Sequence, residues 1–169
     1  NEFLNIFTSS IKTKFIYSFE KKHSNKYLLS NSIAQIPIAL ATKDKVNYIS
    51  DLSSLKSISI GVLKDLDLIS TLKKDYPEIN FIEITSIEDG MRKIKENKLF
   101  ALIDNLYTLS HKIEEFKIDE LKINNTLKYK IDMYLETDRK HEEFIKIINN
   151  AIFTLTEKEK STILNNYQL

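Results

Sequence analysis

Between Ser57 and Phe116 the apolar residues switch repeatedly between a two-residue and a helical period. Ser57-Ile-Ser-Ile-Gly-Val62 reads as a strand. Leu66 to Tyr76 carries Leu68, Ile69, Leu72 and Tyr76 at helical spacing, and Pro77 marks its end. Ile79 to Ile84 is a strand, and Ser86 to Asn97 a helix opened by Ser86 with Asp89 three residues on. Phe100-Ala-Leu-Ile103 is a short strand and Asn105 to Phe116 a helix. Short links leave little topological choice: strands joined through helices run parallel, with the helices on the two faces of the sheet. The fold class expected is therefore α/β, with the strands at Ser57, Ile79 and Phe100 side by side in a mostly parallel sheet.

The flanking chain supplies the rest. Phe3, Leu4, Ile6 and Phe7 suggest a short helix within Asn1 to Ser10, and Phe15 to Phe19 a strand. Glu20 to Lys26 is a charged loop. Ile36-Pro-Ile-Ala-Leu-Ala-Thr42 is apolar on both faces, as a buried strand requires, and Pro37 fits only near its start. Leu121 to Asn124 and Tyr129 to Leu135 read as two further strands. Arg139 to Leu155 is a helix with Phe144, Ile145, Ile148, Ile152 and Leu155 on one stripe. Thr156 with Glu159 opens a last helix, to about Tyr167.

With 169 residues, 42% of them hydrophobic, the chain can build one core, or one lobe and part of another. Its 25 basic and 24 acidic side chains leave a net charge of +1, so neither nucleic acid nor an anionic membrane surface is expected as a partner. The absence of cysteine excludes disulfides, thiolate metal sites and a Cys nucleophile. His23, His111 and His141 lack metal-ligand spacing, and neither a G-x-S-x-G elbow nor a phosphate-cradling glycine loop is present. No cofactor, no metal and no catalysis are expected. Asn124-Asn125-Thr126 fits a glycosylation sequon and reads as chance. No run approaches the ~18 apolar residues of a membrane span. The start at Asn1 reads as a piece of a longer chain, with any membrane anchor outside it.

Several short phrases, in order, carry a resemblance. Leu29-Ser30-Asn31-Ser32-Ile33 precedes the Ile36–Thr42 strand. Asp51-Leu52-Ser53-Ser54-Leu55-Lys56 precedes Ile58-Ser59-Ile60-Gly61-Val62. Tyr76-Pro77-Glu78-Ile79, Ser86-Ile87-Glu88-Asp89-Gly90, Phe100-Ala101-Leu102-Ile103-Asp104, Asn149-Asn150-Ala151-Ile152 and Thr156-Glu157-Lys158-Glu159 follow. Together they resemble the bacterial extracellular solute-binding proteins of family 3, of the periplasmic-binding-protein type II fold, especially those serving as sensor domains of histidine kinases and diguanylate cyclases. The resemblance spans Leu29 to Tyr167. It implies a remnant of a first lobe and crossover at 1–36, a second α/β lobe with hinge strands at 37–135, and C-terminal helices at 136–169 packing back on the first lobe. It also implies an extracytoplasmic, periplasmic ligand-binding role, with a soluble transporter binding protein or a degenerate interaction module as alternatives.

The departures bear on the ligand. Amino-acid binders of the family carry an Arg before the first phrase, to clamp the ligand carboxylate. Here the stretch reads Lys21-Lys22-His23-Ser24-Asn25. Where they carry Gly-Ser or Gly-Thr after the first strand of the second lobe, this chain has Asp65-Leu66-Asp67, whose carboxylates repel an anion. A small-molecule ligand is implied, and a standard amino acid is not expected. Candidate contacts are Asp65, Leu66 and Asp67, where the two carboxylates fit helix capping better than a ligand contact, and Asp104 and Asn105 at a strand's C-terminal end, which equally fit an N-cap. Thr42 leaves the crossing strand with Lys43, where hinge structure explains both as well. With most of a first lobe missing, the strands Ile36–Thr42 and Tyr129–Leu135 and the stripe Phe144, Ile148, Ile152, Leu155 are expected to leave an uncovered apolar face that pairs with a second copy, or else to be a core left after loss of the rest of that lobe.

Overall fold

The structure, a computed structural model, describes residues 11–19, 25–64, 68–117 and 119–166. The expected helix at the start of the chain lies outside these residues, as do Asp65, Leu66 and Asp67. The elements run β1 (Thr13–Ser18), β2 (Tyr27–Leu29), β3 (Ala34–Lys43), β4 (Ser59–Leu63), α1 (Ile69–Asp75), β5 (Asn80–Ile84), α2 (Ile87–Lys95), β6 (Ala101–Asn105), α3 (Leu106–Glu115), β7 (Leu121–Asp138), α4 (Glu142–Thr154) and α5 (Glu157–Asn166). They fall into two compact units, one of Asn1–Gln35 with Asp132–Tyr167, the other of Ile36–Ile131 with Gln168–Leu169.

In the second unit the strand order is β7-β3-β6-β4-β5. The three strands of the alternating stretch lie side by side and parallel, Ile60 level with Phe81 on one side and with Ala101 on the other. β3 joins β6 antiparallel, from Ile38↔Asn105 to Thr42↔Ala101. Pro37 stands one residue before that pairing begins, where its missing N–H costs no bond to β6. Alternation splits the side chains between two faces. One face carries Ala39, Ala41, Ile84 and Leu102 under Ile87, Met91 and Ile94 of α2 and Leu109 of α3. The other carries Leu40, Ile60, Val62 and Ile103, and both faces are buried.

Glycine sets how closely α2 lies on the sheet. A Cβ at Gly90 would stand 2.6 Å from Ile84 Cδ1 and 2.9 Å from Leu102 Cδ1, and one at Gly61 would stand 2.8 Å from Leu99 Cδ1. Ser86 caps α2 by accepting from the Asp89 N–H, as its spacing predicts. The helix ends with Asn97 at φ 58, in the left-handed region. The Lys98 N–H returns to Lys93 O at 2.8 Å and the Asn97 N–H to Ile94 O at 3.1 Å, so the last carbonyls are satisfied in a Schellman arrangement.

In the first unit β1 lies antiparallel to the end of β7, from Thr13↔Thr137 to Ser18↔Asp132. Tyr27 to Leu29 pairs the same stretch of β7, and the Ser30 and Ile33 N–H groups continue to Leu135 O and Met133 O. On α4 the predicted stripe is covered: Ile145 and Ile152 are buried, and Phe144, Ile148 and Leu155 half-buried. Asn149 ties this helix to the chain by accepting from the Asn31 N–H at 2.6 Å. Thr156 and Glu159 cap α5 reciprocally, each backbone N–H donating to the other's side chain.

Two expected boundaries move and one strand is added. Leu121–Asp138 is one strand, not two, because Asn125 stays extended and its Nδ2 holds Ile49 O at 2.9 Å and Ser50 O at 3.2 Å. Its turn-forming side chain is satisfied without a turn. Tyr27–Leu29, directly after the charged loop, is an additional strand that pairing with β7 decides. The helix expected from Arg139 opens as a 3₁₀ turn, Arg139–His141, and becomes α-helical at Glu142.

Candidate ligand-binding site

In an open α/β sheet ligands bind beyond the carboxyl ends of the parallel strands, where helix N-termini converge. In the second unit that edge is formed by the ends of β4, β5 and β6. Ser86 and Asn105 there cap α2 and α3. Asn105 closes β6 and starts α3 at once: its Oδ1 accepts from the Thr108 N–H at 2.8 Å, and its Nδ2 donates to Thr108 Oγ1 at 2.6 Å. Its amide is thus committed to capping, the bland alternative that its sequence position allows.

Asp104, one residue earlier, is different. It is 1% exposed and sits opposite Ala39 of β3. Continuing the β4–β6 register by one residue brings Leu63 level with it, and Leu63 pairs Ile84. The carboxylate therefore lies in an apolar row. Its Oδ1 accepts from the Asn105 N–H at 2.7 Å, and its Oδ2 has no hydrogen-bond partner among the described residues. Burial raises its pKa to about 7, against the smaller opposing effect of the Asn105 N–H. A buried acceptor without a donor costs stability, so the position calls for an explanation.

Thr42 is not brought to this group. It pairs Ala101, about 10 Å along β3 from Ala39, and odd spacing puts it on the opposite face. Fully buried, it donates to Lys43 O and accepts from Asn124 Nδ2 at 3.1 Å. Asn124, which reads in the sequence as part of a chance sequon, is the centre of this cluster. Its Oδ1 accepts from the Ile49 N–H at 2.8 Å and its Nδ2 also reaches Asn47 O at 3.0 Å, so one amide fixes the loop after β3. No local signal marked it, since Lys122, Asn125 and Thr126 around it are polar. Lys43 points away to Asn97 Oδ1, at 2.6 Å, beside an open depression of about 420 Å³ at the amino ends of the parallel strands, lined by Ile58, Ser59, Lys98 and Phe100 among others. Among the described residues no group of His, Asp and Glu is arranged to hold a metal ion.

Parallel strands, capping helices on one edge and crossing strands β3 and β7 define the class: this is the α/β architecture of periplasmic-binding-protein type II, or Venus flytrap, lobes. No protein-family model and no curated protein matches the sequence. Among solved structures, the periplasmic VFT2 domain of BvgS from Bordetella pertussis matches 92% of this chain at 15% identity, with a TM-score of 0.73. A mutant of ArgBP from T. maritima matches 98% at 12% identity, with a TM-score of 0.66, over 72% of its own length. AbpA, an amino acid ABC transporter substrate-binding protein from Streptococcus pneumoniae bound to L-arginine, matches 83% at 12% identity, also with a TM-score of 0.66, over 60% of its length. At these identities the likeness is one of fold. The chain spans 65% of the BvgS domain. By name these structures are a periplasmic domain and solute-binding proteins.

Proposed function

We propose that the chain is an extracytoplasmic ligand-binding domain of a bacterial signal-transduction protein such as a histidine kinase or diguanylate cyclase. The observation that carries the ligand-binding part is Asp104: a buried carboxylate oxygen, unpartnered among the described residues, at the edge where this architecture takes its ligands. A ligand donor completes it. The likeness to a BvgS periplasmic domain supports the sensing role. On this reading residues 1–36 belong to a first lobe and its crossover, 37–135 are the second lobe with its hinge strands, and 136–169 are helices that pack back on the first lobe. The domain is periplasmic, carried by a membrane-anchored protein. Among the described residues no helix is long and apolar enough to cross a membrane. A ligand acts by biasing an open–closed equilibrium through its differential affinity for the two states.

The ligand is a small molecule bearing a cationic donor and lacking an α-carboxylate that needs clamping. The chain has no Arg before Leu29 and carries Asp65 and Asp67 directly after β4 and Lys64. Thermal-shift measurements against the standard amino acids and a panel of amines test this. Amines are expected to raise the melting temperature of the native chain and not of Asp104→Asn, while amino acids leave both unchanged. A micromolar amino-acid binder overturns the ligand assignment. A second reading, a soluble binding protein of a transporter, is favoured by the similarity to amino acid ABC transporter proteins.

A further inference from the structure

Resting on the ligand-binding reading of Asp104, we propose that binding at this edge is linked to proton release: the unliganded carboxyl holds a proton, which it gives up to solvent when a cationic donor arrives at Oδ2. The geometry leads to this. An ionised carboxylate enclosed at 1% exposure needs a countercharge or several donors, and this one has a single backbone N–H. Its register neighbours Ala39 and Leu63 are apolar, as is Ile84 beyond them.

Several charged groups on the surrounding elements are engaged elsewhere. Lys43 at the end of β3 bonds Asn97. β4 bears no titratable side chain from Ser59 to Leu63, and Lys64, Asp65 and Asp67 follow it in the sequence. On α2, Glu88 pairs Lys112, and Asp89 pairs Arg92 and Lys93. Lys95 completes that helix. On α3, His111 and Lys112 pair Glu115, and Tyr107 and Glu114 are the other titratable groups. Among the described residues none of these groups hydrogen-bonds Asp104 Oδ2. The raised pKa agrees with a proton held near neutral pH.

The balance is simple. The neutral acid loses one proton to buffer, and the carboxylate left behind accepts an N–H from the incoming ammonium. A cation that binds only the ionised form loses affinity about tenfold for each pH unit below the carboxyl's midpoint, and its affinity levels off above it.

The test follows the Asp104 carboxyl by carbon NMR in the full chain, labelled at aspartate, between pH 4 and pH 9. Methylammonium chloride is the probe and tetramethylammonium chloride, which has the charge without the N–H, the control. The expected result is a midpoint near neutrality that methylammonium lowers by ~0.5 units or more and tetramethylammonium leaves in place. Titration at an ordinary aspartate pH, no response to methylammonium, or an equal response to both salts overturns the proposal. Thermal shifts with methylammonium separate it from the reading beneath it. If Asp104→Asn loses the stabilisation but the native carboxyl titrates normally, the site stands and the proton linkage falls. If Asp104→Asn keeps the stabilisation, the binding reading falls too.

Discussion

At the residue scale Asp104 makes the fold pH-sensitive. Its folded pKa, about 7, lies above the ordinary aspartate value of 3.8. The unfolded chain therefore loses this proton first as pH rises, while the folded chain keeps it. Linkage then makes this residue's contribution to stability full below about pH 4 and lost progressively towards pH 7. Asp104→Asn, which keeps the shape and removes the charge, is expected to be more stable than the native chain at pH 8 and close to it at pH 3.5. Urea unfolding at the two pH values checks the sign, and equal stabilities at pH 8 would contradict it. Asn124 predicts the reverse. Its buried amide serves Ile49 N–H, Asn47 O and Thr42 Oγ1, so Asn124→Ala strands those groups and is expected to cost about 1–3 kcal/mol by denaturant midpoint.

At the element scale the helix α2 is the most demanding piece, because its close seat on the sheet depends on Gly90. Gly90→Val pushes carbon into Ile84 Cδ1 and the Leu102 methyls, which a Cβ alone would already crowd at 2.6–3.1 Å. An overpacking cost of about 1–3 kcal/mol is expected, read as a lowered melting temperature. Ser86→Ala removes the bond to the Asp89 N–H and is expected to cost about 1 kcal/mol. Both α2 and α3 were legible in the sequence, since capping residues and apolar spacing are local signals. Asn105 was legible only as an alternative between ligand contact and N-cap, and its two bonds to Thr108 assign its amide to the cap. β7 was misread as two strands because Asn125 and Thr126 carry a local turn signal that the loop at Ile49 and Ser50 overrides.

At the scale of the whole molecule the expected pairing with a second copy rested on an uncovered stripe along the C-terminal helix. That stripe is covered within the chain, and the large apolar side chains left exposed on α4 are Ile147 at 63% and Phe153 at 92%. Two side chains fall short of the contiguous patch a stable dimer needs. A monomer at micromolar concentration is therefore expected in sedimentation. A concentration-dependent dimer would assign these two residues, or the apolar residues of 1–10, to an interface.

The sequence by itself determined the order and type of the elements from Ser57 to Phe116 and the parallel pairing of their strands. Short links between strands and helices leave one way to bury both faces of such a sheet. It also placed Asp104 at a strand's carboxyl end. Only the tertiary structure decided that Asp104 and Thr42 lie on opposite faces, since that follows from the β3–β6 register, which no local pattern encodes. It alone enclosed the carboxyl among apolar neighbours and left Oδ2 without a partner among the described residues. Burial is the sum of contacts brought from β3, β4 and β6, and a carboxylate's pKa follows its surroundings and not its place in the chain.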